Sequence, residues 1–265
     1  MRTRNEHDKA RHVREYVYVA RIEYDGQTAA AFKAVREVRR DGLTRWREAI
    51  RRHLNPSPGM TLVDVGAGTG AFAAAFADWF DLDVIAVEPS AAMRDQIPHR
   101  PDIQVRDGHA GALPLPDGSA DAAWLSCVIH HVPDPEAAGR EIRRVLRPGA
   151  PVFFRQVFPG RADRVELVRW FPETERTIDT FPSVEQVCEW FGGAGFRRDA
   201  LEQVPQTGVS LEEFLGQVDT FRQGDTTMRN LTEEEFRRGK QRLRGAVRTA
   251  GPESTTTWLD LLVLR

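Results

Sequence analysis

The chain has 265 residues, 41% hydrophobic and 29% charged, with a formal net charge of −2, so it can bury a sizeable core in roughly one domain and offers no electrostatic ground for a nucleic-acid partner. No apolar run reaches the roughly 20 residues of a membrane span, and the charged start "MRTRNEHDKARHVREY" is unlike a signal peptide. Its two cysteines, Cys127 and Cys188, lack metal-ligand spacing and point to a reducing compartment, the cytoplasm, with no metal implied.

Residues 8 to 54 read as helical throughout. Val13, Val17, Ala20 and Tyr24 recur at helical spacing, and Leu43, Trp46, Ile50 and Leu54 form a second stripe that ends at Asn55-Pro56. From Met60 the pattern changes to short apolar runs, "TLVDVG", "DVIAVEP", "IQVRDG", "AAWLSCV" and "PVFFRQVF", separated by helical stretches. That alternation predicts right-handed crossovers and a doubly wound, parallel α/β sheet. There follow "SVEQVCEWFGGAGF", a helix closed by glycine, the strand candidate "ALEQVPQ", a polar helical insertion from about Ser210 to Arg248, and a last run, "TTTWLDLLVLR", rich in strand formers.

The turn after the first strand reads Asp64-Val65-Gly66-Ala67-Gly68-Thr69-Gly70 and runs straight into an alanine-rich helix. Glycine at every second position lets the chain bend sharply and lets a ligand approach the backbone, while the helix start offers unpaired N–H groups. A nucleotide-like ligand fits, of the dinucleotide or the S-adenosylmethionine (SAM) kind. Glu88, ending the next strand, suits the ribose hydroxyls of either. Asp64 inside the turn discriminates, because a carboxylate tolerates the ammonium and sulfonium of SAM and repels a pyrophosphate.

Together "VDVGAGTG", "VIAVEPSAAM", "GHAGALPLPDGSAD", "WLSCVIHHVPDPEAAGREIRRVLRPGA" and "WFGGAGF" resemble the successive motifs of class I SAM-dependent methyltransferases, closest to the ubiquinone/menaquinone-methyltransferase-like group. The resemblance covers about Met60 to Phe196. It implies a Rossmann-like seven-stranded sheet, mostly parallel with an antiparallel last strand, in a single domain: a helical lid (1–57), a cofactor core (58–158), and acceptor-pocket segments with the C-terminal strands (159–265). The cofactor roles it implies fall on Asp64, Gly66, Ala67, Gly68 and Gly70 at the methionine part, on Glu88 and Pro89 at the ribose, and on Met93, Gly108, His109 and Ala110 around the adenine. Ser126, Cys127 and Val128 line the cofactor after the fourth strand. The chain departs from the family's common "GDAEALP" in having His109 and Gly111, and a histidine can still bond to or stack on adenine.

"EYDGQTAAAF" is similar to a frequent N-terminal family pattern whose tyrosine lies near the methionine moiety, which weighs Tyr24 as a cofactor contact and catalytic candidate against simple packing. Arg36 is a candidate partner for the methionine carboxylate, or part of a solvated helix face. His131 is a candidate base, with His130 behind it; alternatively one histidine caps or packs the helix beginning near Pro135. Pro148 and Gly149 make a structural turn, and Ile142 and Leu146 belong to the core. Trp170, Phe171, Phe181 and the insertion either build the acceptor pocket or seal the sheet edge. The implied activity is SAM-dependent methylation of a small molecule in secondary metabolism, yielding S-adenosylhomocysteine (SAH) and relying mainly on proximity and orientation. A non-catalytic SAM-binding partner subunit and a nicotinamide-dependent oxidoreductase are the alternatives.

Overall fold

A computed structural model describes residues 25–36, 40–249 and 254–265. Seven strands form one sheet: β1 (Thr61–Val65), β2 (Asp83–Val87), β3 (Ile103–Arg106), β4 (Ala122–Ser126), β5 (Val152–Gln156), β6 (Arg198–Ser210) and β7 (Ser254–Leu264), in the order β3-β2-β1-β4-β5-β7-β6. The first five are parallel, and β7 runs antiparallel to both β5 and β6. The predicted doubly wound sheet and its antiparallel last strand are therefore present, with every strand candidate in place.

Central parallel strands are covered on both faces and read as continuous apolar runs. β4 and β5 show why, since neighbouring residues feed opposite cores. Trp124 and Phe153 pack with Trp46, Ile50 and Phe76 on one side, and Leu125 and Phe154 pack with Ile142 and Phe191 on the other. Ile142 and Leu146 are core residues as expected.

The helices are α1 (Gly26–Arg36), α2 (Thr44–Leu54), α3 (Ala71–Phe80), α4 (Ala91–Arg94), α5 (Pro135–Val145), α6 (Glu166–Trp170), α7 (Glu175–Ile178), α8 (Val184–Gly192), α9 (Leu211–Gly224), α10 (Thr226–Arg229) and α11 (Glu233–Val247). Within the described part of the N-terminal region a one-turn 3-10 helix, Arg40–Leu43, leads into α2, so the helical expectation holds there in more than one helix type. Gly42 in that turn lies so close to β6 that a side chain there would collide with the Thr207 carbonyl, so the approach requires glycine. Leu43, Trp46, Ile50 and Leu54 are all buried, and α2 stops at Asn55, whose φ of 50° breaks the helix just before Pro56. Val13, Val17, Ala20 and Tyr24 lie outside the described residues.

The predicted insertion is α9 to α11. Its apolar face makes a satellite core in which Trp170 and Phe171 pack with Val218, Met228, Phe236 and Leu243. Its charged face carries ion pairs such as Lys240–Asp219 and Arg242–Glu173. No helix among the described residues is long and apolar enough to cross a membrane.

Candidate functional site

Parallel strands bring their carboxyl ends to one edge, and the chain winds outward in both directions from β1 and β4. The crevice where the order reverses is the usual ligand position in such sheets. Here it holds the glycine turn after β1 on one side and, on the other, Ser126 at the end of β4 with Cys127 and Val128 after it.

The turn is tied down by β2. The amides of Gly66 and Ala67 both donate to the Val87 carbonyl, at 2.8 and 3.1 Å. Gly68 N–H donates to Glu88 Oε2 at 2.9 Å, and Ser90 N–H to Glu88 Oε1 at 2.9 Å. The Glu88 carboxylate thus braces the turn, and each oxygen keeps a second lone pair for a ligand hydroxyl. Glu88 is 7% exposed; burial raises its pKa, and the two amides pull it back.

Asp64 lies below the turn, 2% exposed. Burial, then the neighbouring Glu88 charge, push its carboxyl up to about 8, opposed by a hydrogen bond from the Ala73 amide in the first turn of α3. Its Oδ2 is buried without a hydrogen-bond partner. A buried carboxyl oxygen without a partner, beside the Glu88 carboxylate, suits a cationic donor, next to which Asp64 would ionise.

Two glycines have different reasons. A Cβ at Gly66 would lie 2.7 Å from Val128 Cγ2, so glycine lets the β4 end close against the turn. At Gly68, with φ of 55°, the nearest atom to a Cβ is Phe32 Cε1 at 3.9 Å. That space is open apart from α1, whose Phe32 also packs on Gly224 of α9 and whose Lys33 Nζ donates to the Gln96 carbonyl at 2.8 Å. The described part of the predicted lid therefore spans the turn from the insertion to the segment after α4. Sequence reasoning passed over Phe32; its signal was a single large apolar residue in "TAAAFKAV".

On the other flank Met93 is buried, and Pro89 and His109 are exposed. Ala110 is buried, and Gly108 packs against Pro114 and Val87. His109 Nδ1 accepts from the Gly111 amide at 3.2 Å, so the two departures from the family pattern bond to each other. Tyr24, and the side chain of Arg36, lie outside what the structure describes.

At the β4 end Cys127 has a left-handed φ of 54°, and its N–H donates to the Arg155 carbonyl at 2.8 Å. The Arg155 side chain returns over the same bend, donating to Ser126 Oγ at 3.1 Å and approaching Cys127 Sγ at 3.6 Å. It also donates to Gln206 and lies between Trp46 and Phe72. Next along β5, Gln156 Nε2 lies 3.1 Å from His130 Nδ1. The His130 ring stacks on Phe181 at 4.1 Å and 16°, with His131 beside it at 4.0 Å. Neither histidine caps α5: Asp134 does, accepting from the Ala137 amide at 2.8 Å, because its shorter side chain reaches back to the helix start. Arg155 and Gln156 were legible only as two polar residues ending an apolar strand.

A methyltransferase-domain family model matches residues 63–154. The chain is 37% identical over 173 residues to a demethylmenaquinone methyltransferase of Renibacterium salmoninarum, covering 57% of this chain and 73% of that protein. It is 36% identical over 163 residues to the ubiquinone/menaquinone biosynthesis C-methyltransferase UbiE of Caulobacter vibrioides, covering 55% of this chain and 60% of that relative's length. Among solved structures, a methyltransferase described from an antibiotic biosynthesis pathway of Anabaena variabilis superposes with a TM-score of 0.67 at 23% identity, over 83% of this chain and 96% of that one. This last likeness is one of fold.

Proposed function

Because the chain belongs to the class I SAM-dependent methyltransferases, we propose that it methylates a small-molecule acceptor, in secondary metabolism and in the cytoplasm, with SAM as donor. The observation that carries this function is the pair of buried carboxylates, Asp64 and Glu88, under an open glycine turn. Asp64 Oδ2 has no protein donor, and an ammonium group would satisfy it; the second lone pairs of Glu88 suit ribose hydroxyls. A nicotinamide dinucleotide would bring its pyrophosphate against the Glu88 carboxylate and would offer Asp64 no cationic partner, which disfavours an oxidoreductase.

When bound, SAM supplies a methyl group on a sulfonium, which an acceptor nucleophile displaces in line. The residues assigned to hold it are Asp64, Gly66, Ala67, Gly68 and Gly70 at the methionine part, with Tyr24 and Arg36 from the lid. Glu88 and Pro89 take the ribose, Met93, Gly108, His109 and Ala110 frame the adenine, and Ser126, Cys127 and Val128 form the β4 wall. Phe32 excludes water above Gly68, and the segments after residue 159 shape the acceptor end. The chain's main contribution is to hold donor and acceptor in contact without solvent, worth several kcal/mol.

Calorimetry with SAH and with NADH tests donor choice, and mass spectrometry of products from a panel of demethylated quinols and phenols tests turnover. SAH binding with a methylated product is expected. Tight NADH binding without an SAH signal overturns the proposal, and SAH binding without any product across wide acceptor panels favours a non-catalytic partner subunit.

A further inference from the structure

We propose that Arg155 is a positioning residue that sets the β4 wall of the crevice: its guanidinium clamps Ser126 and Cys127 into the bend that brings Val128 against the glycine turn. The consequence for SAM rests on the methyltransferase function proposed above; the clamp itself does not.

The bend is strained. Cys127 has a φ of 54°, a conformation that residues with a Cβ rarely adopt and that persists where the surroundings enforce it. Its N–H donates to the Arg155 carbonyl at 2.8 Å. The side chain of the same arginine adds two attachments, both from Nη1, to Ser126 Oγ at 3.1 Å and Cys127 Sγ at 3.6 Å. A guanidinium has only N–H groups to offer, so it is the donor in both. Those N–H bonds lie in one rigid plane, which fixes how the two side chains stand relative to each other. The next residue, Val128, meets the turn, since a Cβ on Gly66 would lie 2.7 Å from its Cγ2.

The guanidinium is itself held from several elements. Arg155 is 7% exposed, and Nη2 donates to Gln206 of β6. Its Cζ lies 5.3 Å from the Trp46 ring centroid, in α2, and 5.1 Å from that of Phe72, where ring faces attract a cation. Phe72 is in the first turn of α3, which starts directly after Gly70. One buried cation therefore bears on the helix that follows the glycine turn and on the bend that faces it. A methionine would fill similar space without the desolvation cost of a charge and would hold neither Ser126 nor Cys127.

Three variants separate a clamp from ordinary core. Arg155→Met removes the fork, and Arg155→Lys keeps the charge and loses the fork. Phe153→Leu, two residues earlier in the same core, loosens the packing and leaves the clamp in place. Amide exchange of Cys127, read by NMR on ligand-free protein, follows the bend; calorimetry with SAH follows the wall, and urea unfolding follows overall stability. Arg155→Met should speed exchange at Cys127 and weaken SAH about tenfold, with Arg155→Lys in between. Phe153→Leu should lower the urea midpoint and keep Cys127 exchange and SAH affinity as in the wild type. Ser126→Ala should weaken SAH in the wild type and add little to Arg155→Met, because both break the same contact. Should Arg155→Met fail to fold, Arg155→Lys carries the same comparisons. A Cys127 amide as protected in the Arg155 variants as in the wild type overturns the clamp, and equal effects from Phe153→Leu make Arg155 ordinary core. Faster exchange with unchanged SAH affinity overturns its role in the wall. Faster exchange in a set of proteins none of which binds SAH overturns the methyltransferase function and leaves the clamp standing.

Discussion

Asp64 is expected to couple protonation to ligand binding if the donor site is as proposed. Its carboxyl is raised from 3.8 to about 8, so the native chain holds a proton that the unfolded chain releases. The stabilisation from that proton is complete below 3.8 and is lost as pH rises toward 8. Urea unfolding of the ligand-free protein should show this decline, and Asp64→Asn, which stays neutral, should flatten it. An ammonium beside Oδ2 favours the charged carboxylate. SAH binding near neutral pH should therefore release a proton, read by calorimetry in buffers of different ionisation enthalpy, and Asp64→Asn should lose that release. Equal release from both proteins would mean that the ligand's ammonium lies elsewhere. Glu88→Ala removes the brace on the Gly68 and Ser90 amides as well as the proposed ribose contact, and should weaken SAH by about 1–3 kcal/mol. Methylthioadenosine, which keeps the ribose and lacks the amino-acid tail, should weaken similarly; a loss confined to SAH would refute the ribose role.

Among elements, α1 and the insertion are the ones proposed to cover the site. Phe32 lies between them, 3.9 Å from where a Cβ on Gly68 would stand and 3.3 Å from where one on Gly224 would, so α1 and α9 should respond to ligand together. Hydrogen exchange in residues 26–36 should slow when SAH is added, and Phe32→Ala should weaken SAH about tenfold, ~1.4 kcal/mol. Exchange and affinity both unchanged would make α1 simple packing. The insertion is seated by Gly239, where any side chain would run into the Phe171 ring, which stacks on Phe236. Gly239→Ala overpacks that contact and should cost about 1–3 kcal/mol of stability, while SAH affinity stays as in the wild type. An equal loss of SAH affinity would show that the insertion supports the donor side and not the acceptor side alone.

At the scale of the whole molecule, one sheet separates two cores and unites them. Phe154 is fully buried in the first core and Phe153 in the second. Because they are neighbours on β5, a cavity on one side loosens the strand for both. Phe154→Ala should cost about 3–5 kcal/mol and keep a single unfolding transition, seen alike by tryptophan fluorescence and circular dichroism. Two separated transitions would mean that the faces unfold independently.

The sequence by itself determined the sheet and its carboxyl-edge turn. Alternating apolar runs and helices admit few topologies, and the spacing of Gly66, Gly68, Gly70 and Glu88 is local enough to be read along the chain. The stripe Leu43, Trp46, Ile50, Leu54 was legible for the same reason, since helical period alone assigns it to a core. Only the tertiary structure decided the rest. The glycine at residue 42 answers to the Thr207 carbonyl, far along the chain. Arg155 over Cys127, Gln156 against His130, and Phe32 above Gly68 are pairings between elements that sequence distance hides. Long-range contacts of this kind leave no period and no spacing, because each is fixed by where two elements end after the sheet has formed.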